Sequence, residues 1–279
     1  MGTTQRIHPG VSGEPNWGQL SRSISAIGAN LKLELDVRQV LDNAEDDAEQ
    51  KPNEEIVRLT KRKHVLDDRL EKHFRAAMKS LIQTGGGRDA VTKGRSPSLG
   101  RSGRRTARRL VSFVNAVHRQ GLAPTLQEAG FGEMRGRSVQ DVLDFLLIYF
   151  ADTASGMDEV AANMASCQVL EWLSADVENL EDLQARLQRL IDENSLTELI
   201  ARFYGLYLFE HLSQRFEEKL TQLLGETVSR ETFNLIREDI IGRVEHLARE
   251  RDLSNINWRA ADGRKMADAI FNSIINIFE

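Results

Sequence analysis

Five prolines punctuate the chain, at positions 9, 15, 52, 97 and 124, and the 155 residues after Pro124 contain none. A proline inside a helix removes a backbone hydrogen bond and collides with the preceding turn, so a long proline-free tract is the trace that consecutive helices leave. Helix-start signals fall where that view needs them. Ser138 with Asp141 forms a capping box for a helix through Phe150, and "GMDEVAANMASCQVLEWL" supplies a second helix. Ser195 with Glu198 opens a long apolar helix through Leu224, Ser229 opens one to about Arg249, and Asp262 opens the last, ending at Ile277.

The amino half is more broken. Asn16 with Gln19 suggests a helix from about 17 to 40, with Leu20, Ile24, Ile27, Leu31 and Leu35 on one stripe. After the acidic break "DNAEDDAEQKPNEE", a charged helix over about 53–83 carries a narrow seam of Ile56, Leu59, Lys63, Leu66, Leu70 and Phe74. A Gly/Ser stretch follows until Ser102 or Gly103 starts a helix buried through Leu110, Val114 and Val117 and ended by Gly121. The expected fold is an all-α multi-helix bundle with an extended amino-terminal tip (1–16) and a charged helical hairpin (17–84). A basic Gly/Arg-rich connecting loop (85–102) and a helical core domain (103–279) complete it.

With 41% apolar and 28% charged residues, 279 residues suffice for a real core. One cysteine, Cys167, excludes an internal disulfide and any multi-cysteine metal site, which fits a reducing cytoplasm. No signal-peptide pattern opens the sequence, and the longest apolar run, "VLDFLLIYFA", is interrupted by Asp144 and too short for a bilayer. The expectation is a cytoplasmic protein that neither spans a membrane nor is secreted.

Charge is unevenly placed. From Gly85 to Arg109 seven arginines and one lysine face one aspartate, a local +7 that leaves −12 for the remainder of a chain whose net charge is −5. Arg101, Arg104, Arg105, Arg108 and Arg109 recur at helical spacing, and planar guanidinium forks suit phosphate or carboxylate. The segment is not a phosphate loop: "GRSPSLGRS" places five residues between its glycines and Arg101 where the lysine belongs. A solvated basic linker or an internal mate for acidic helices is one reading. Contact of Arg88, Arg101, Arg104, Arg105 and Arg108 with an anion or nucleic acid is the other.

Catalytic constellations are scarce, and no active site is read from them. The six histidines, His8, His64, His73, His118, His211 and His246, are scattered without metal spacing, and no cofactor or metal is expected. Cys167 lies on an apolar helix face, as a packed thiol does. Adjacent carboxylates such as Asp67 and Asp68 diverge on a helix and make no acid/base dyad. The aromatics Phe203, Tyr204, Tyr207, Phe209 and Phe216 read as helical core with tyrosines at its rim.

The tip "MGTTQRIHPGVSGEPNW" has little to bury, and its glycines and prolines favour an extended segment. Removal of Met1 before the small Gly2 would leave a free α-amine, which near its ordinary pKa of about 7.7–8.0 is partly neutral and nucleophilic. Myristoylation would want Ser or Thr at position 6, where Arg6 stands.

The ordered set "MGT", "GGGRDAVTKG", "GRSGRRTARRLVSFV", "GLAPTLQEAGF", "GRSVQDVLDFLLIYFAD" and "DEVAANMASCQVLEWL" resembles the QatB family of the Qat anti-phage defence system, over the tip and residues 84–220. The resemblance implies a non-enzymatic helical protein that binds the QueC-like enzyme of the same system, an ATP-using protein that joins a deazapurine to its target's amino terminus. It makes Gly2 the modified residue, with Thr3 and Thr4 threading into the partner's active site. ATPase and TatD-like nuclease components of that system are further expected partners. Family tips are richer in Ser and Gly than "TQRIHPG" is. The alternative from a different class is a nucleic-acid-binding or sensing module built on residues 88–109.

Overall fold

The computed structural model describes residues 53–151, 156–192, 195–224 and 263–278, with single positions between 23 and 33 and between 234 and 246. The fold is all-α, as expected, with no strand among the described residues. Nine helices can be followed there in order. They are α1 (Asn53–Thr84), α2 (Arg88–Thr92), α3 (Arg101–Gln120), α4 (Leu122–Glu128), α5 (Val139–Phe150), α6 (Met157–Ser174), α7 (Leu180–Asp192), α8 (Leu196–Leu224) and α9 (Gly263–Ile277). The expected helix at 17–40 is described at Ser23, Ala26, Ile27, Asn30 and Leu33, all helical, and that at 229–249 only at single positions, of which Ile240 and Val244 are fully buried.

The chain forms two compact units. One comprises Met1–Gly87, Arg215–Leu235 and Phe278–Glu279. Here the last turns of α1 bury Phe74, Ala77, Met78, Leu81 and Ile82, and the Phe74 ring meets that of Phe278 edge-on at 5.6 Å. The helix ends at "TGGG" because Gly86 and Gly87 take left-handed backbone conformations, and the Gly87 N–H returns to Ile82 O at 3.0 Å.

The other unit comprises Arg88–Gln214 and Ile236–Ile277, and α3 is its centre. Thr106, Ala107, Leu110, Val111, Phe113, Val114 and Val117 give α3 a wide buried face, which α4, α5, α6, α7 and α9 share. Gly121 closes the helix as expected, its N–H donating to Val117 O at 2.8 Å. Helix α5 has the expected capping box, Ser138 Oγ accepting from Asp141 N while Asp141 accepts from Ser138 N. Through Leu212, α8 is buried on nearly every side, which explains its lack of a polar face.

Three helices lie where the sequence reading placed connections. Within 85–102, α2 buries Val91, and Leu99 is also buried. Helix α4 tolerates Pro124 because it sits in the first turn, where its missing N–H has no helical partner to lose. Helix α7 starts at Asn179, whose Oδ1 accepts from Asp182 N at 2.9 Å, and buries Leu183, Leu187, Leu190 and Ile191.

Candidate functional site

Of the residues singled out in the sequence, Gly2, Thr3 and Thr4 lie outside the described residues. Arg88 is exposed on α2, Arg101 is exposed as the first residue of α3, and Arg105 is half-buried one turn on. Arg104 and Arg108, four residues apart and therefore on one face, are brought together on a single carboxylate of α9. Arg104 Nε donates to Asp268 Oδ1 at 3.1 Å, and its Nη2 lies 2.9 Å from Oδ2. Arg108 Nε donates to Oδ1 at 3.0 Å and its Nη2 to Oδ2 at 2.5 Å. A third Arg104 nitrogen, Nη1, donates to the Thr92 carbonyl at the end of α2. Burial alone would raise the Asp268 carboxyl pKa, but hydrogen bonds from Arg104 and Arg108 outweigh it and hold the group below the usual carboxylate range.

Arg109 turns a different way. Its Nη1 donates to Ala151 O at 2.6 Å and Phe150 O at 3.3 Å, joined by Thr106 Oγ1 to Phe150 O at 3.4 Å. A cation there satisfies the carbonyls at the end of α5 and meets the negative end of its dipole. Arg104, Arg108 and Arg109 therefore fasten α3 to α2, α5 and α9, while Arg101 is exposed at the helix start.

A second polar cluster is buried at the start of α3. Asp158, from the first turn of α6, is 2% exposed and accepts from Gly100 N at 3.1 Å and Ser102 N at 2.7 Å. Gly100 is the N-cap of α3 and has no side chain to cap it; the carboxylate from 58 residues away takes that role and faces the positive end of the helix dipole. Tyr207 Oη donates to the same Asp158 oxygen and receives the Gly100 N–H at 2.5 Å. His211, fully buried one turn further along α8, donates from Nε2 to Asp158 at 3.1 Å. Burial works to raise the Asp158 pKa, yet His211, Tyr207 and the Ser102 N–H bring it down to about 2. Burial and Asp158 push the Tyr207 hydroxyl well above its ordinary value.

The sequence reading missed this cluster. Its signal was there: Tyr207 and His211, at i and i+4 in the most apolar stretch of α8, are polar groups that burial drives toward hydrogen-bond partners. Phe203 and Phe209 are core, as expected, but Tyr204 and Tyr207 are fully buried and not at the rim, Tyr207 because its hydroxyl finds Asp158 and the Gly100 N–H inside. Cys167 lies 3.6 Å from Glu171 Oε1, and burial followed by that carboxylate raises its thiol pKa, the reverse of what a nucleophile needs. No group of three or more His, Cys, Asp or Glu side chains able to hold a metal occurs among the described residues.

The titratable groups gathered in the core thus cap helices and fix their spacing. A family model described as "Qat anti-phage system associated protein QatB" matches residues 92–278, which takes in α3 to α9 and with them Asp158, Tyr207, His211 and Asp268. No curated protein and no solved structure matches the chain. Since the matched span is about two thirds of the 279 residues, the chain belongs to the QatB family and with it to Qat anti-phage defence.

Proposed function

We propose that the chain is a non-enzymatic, cytoplasmic component of Qat defence that binds the system's QueC-like enzyme and is that enzyme's substrate at the amino terminus. The family match over 92–278 is the observation that supports this reading. It is consistent with helices none of which, among the described residues, is long and apolar enough to cross a membrane. With Met1 removed, the neutral Gly2 amine attacks the carbonyl carbon of a deazapurine carboxylate that the partner has adenylated with ATP, releasing pyrophosphate. The new amide bond forms as the bond to AMP breaks, and the nitrogen gives up its extra proton to solvent. An extended tip suits such a reaction because the enzyme must draw it into a pocket. The entropy of ordering it has to be offset by a larger docking surface, which the helical body supplies. ATPase and TatD-like nuclease components of the system complete the proposed set of partners.

The test is co-expression with the QueC-like protein, followed by intact mass and peptide mapping of the amino terminus. The expected result is a deazapurine-sized addition on Gly2 that disappears when the partner is omitted and when Gly2→Glu blocks methionine removal. An unmodified Gly2 in a complex that still protects cells from phage would overturn the reading.

A further inference from the structure

We propose that α2, the first turns of α3 and the start of α9 form one basic face that binds the phosphate backbone of nucleic acid. Residues 88–109 hold eight Lys and Arg against Asp89 alone, and α9 adds Arg264 and Lys265 against Asp268. With Arg109 set aside, since it turns to the end of α5, the surplus is seven positive charges, which leaves −12 for the remainder of a chain whose net charge is −5. The sequence shows only the first part of this asymmetry. The fold joins the second part to it.

The joining follows from contacts already described. Helix α9 packs along both α2 and α3. Its Phe271 lies against Gly100, where an added Cβ would stand 3.1 Å from the ring. Asp268, one turn earlier on α9, reaches Arg104 and Arg108, one and two turns further along α3. The two helices therefore run antiparallel, and Arg264 and Lys265, a turn before Asp268, continue the line past Arg108. At the other end, Arg104 holds the Thr92 carbonyl and brings α2 alongside with Arg88 and Arg95. Arg88, Arg95, Arg101, Arg264 and Lys265 are exposed and Arg105 is half-buried. Asp268 neutralises one charge of the set and keeps the two helices at fixed spacing.

The composition of the face selects its ligand. Protein interfaces use arginine too, but they centre on apolar or aromatic anchors. The exposed large hydrophobics, Leu33, Val65, Ile148, Val160 and Met164, all lie off α2, α3 and α9 among the described residues. The aromatic rings within these helices, Phe113 and Phe271, are buried, so nothing aromatic in them offers a base a stacking surface. A polar row of arginines and a lysine contacts phosphates and reads no sequence. Binding should therefore be weakly dependent on sequence and strongly dependent on salt. This goes beyond the amino-terminal reaction and does not depend on it, since one is read by the mass of Gly2 and the other by binding to the intact chain.

The experiment is a fluorescence-anisotropy titration of the full chain with a short mixed-sequence DNA duplex and its single strand, across a salt series. The variant combines Arg95→Ala, Arg101→Ala and Lys265→Ala, leaving Arg104, Arg108 and Asp268 to hold the helices. Circular dichroism and thermal melting check that it folds. Both DNAs should bind at low salt, and the variant should bind about tenfold or more weakly, with the slope of log affinity against log salt reduced by about two to three. Arg189→Ala, exposed on α7, should bind as the parent does. Absence of binding at low salt, or a variant with the parent's slope, would overturn the proposal. So would a parent that ignores DNA while the triple variant loses a co-purifying acidic protein, which would make the face a protein surface.

Discussion

Gly103 has only a hydrogen where the Tyr207 ring passes. A Cβ added there would stand 2.7 Å from Cζ, closer than carbon atoms approach. Glycine inside a helix ordinarily costs about 0.5–1 kcal/mol relative to alanine, so Gly103→Ala in open space would stabilise. Here the methyl must push the ring aside, at about 1–3 kcal/mol for overpacking, and the ring carries the hydroxyl that bonds Asp158 and Gly100. We expect a net loss of about 2 kcal/mol in urea denaturation; a variant as stable as the parent would show that the ring has room to move. The sequence showed "GRSGRR" as a glycine-bearing connection to a helix start. That the glycine is there for a ring more than a hundred residues away was not legible, because local pattern reports a backbone's preferences and not the neighbour it will meet. Arg104 and Arg108 illustrate the same limit. Their shared face was legible from spacing, and the carboxylate that occupies it was not.

Most elements whose ends are written in local chemistry were legible. The Ser138–Asp141 box, the Gly121 stop and the long apolar run to Leu224 all stand where the pattern put them. Helices α2 and α4 span only 5 and 7 residues, too few for a period to show. Helix α7 was missed although Asn179 and the spacing of Leu183, Leu187 and Leu190 announce it. Beside the apolar contact of Phe271 with Gly100, a single carboxylate ties α9 to α3. Asp268 is 19% exposed, against 12% for Arg104 and 42% for Arg108, so the cluster is screened on the Arg108 side and tight on the other. Asp268→Asn keeps the shape and removes the charge that both forks grip. Hydrogen bonds to a charged group contribute about 1.5–3 kcal/mol, and partial exposure lowers that; we expect a loss of about 2 kcal/mol. Hydrogen exchange should rise first in α9 and at Thr92. A uniform rise across α5 and α7 instead would mean that Asp268 is not local to the α3–α9 contact.

At the scale of the whole molecule we expect the buried cluster to steepen the acid limit of folding. Asp158 has a folded-state pKa of about 2, against an ordinary 3.8. A carboxyl depressed on folding contributes stability that is complete above its unfolded pKa and is lost as pH falls through the folded one. The difference corresponds to about 2.5 kcal/mol, present in full near pH 5 and removed between about pH 4 and pH 2. Asp268, depressed by its two arginines, acts in the same sense. The consequence is a steep acid limb in a plot of unfolding free energy against pH, produced where protonation would detach the cap of α3. Asp158→Asn cannot titrate. It should be less stable at neutral pH, having lost the charge that His211 and the Gly100 and Ser102 N–H groups meet, and its free energy should fall much less between pH 4 and pH 2. Denaturant titrations of both proteins across that range decide the matter. Parallel acid limbs in parent and variant would place the acid lability in other carboxylates and leave Asp158 a cap whose charge does not matter.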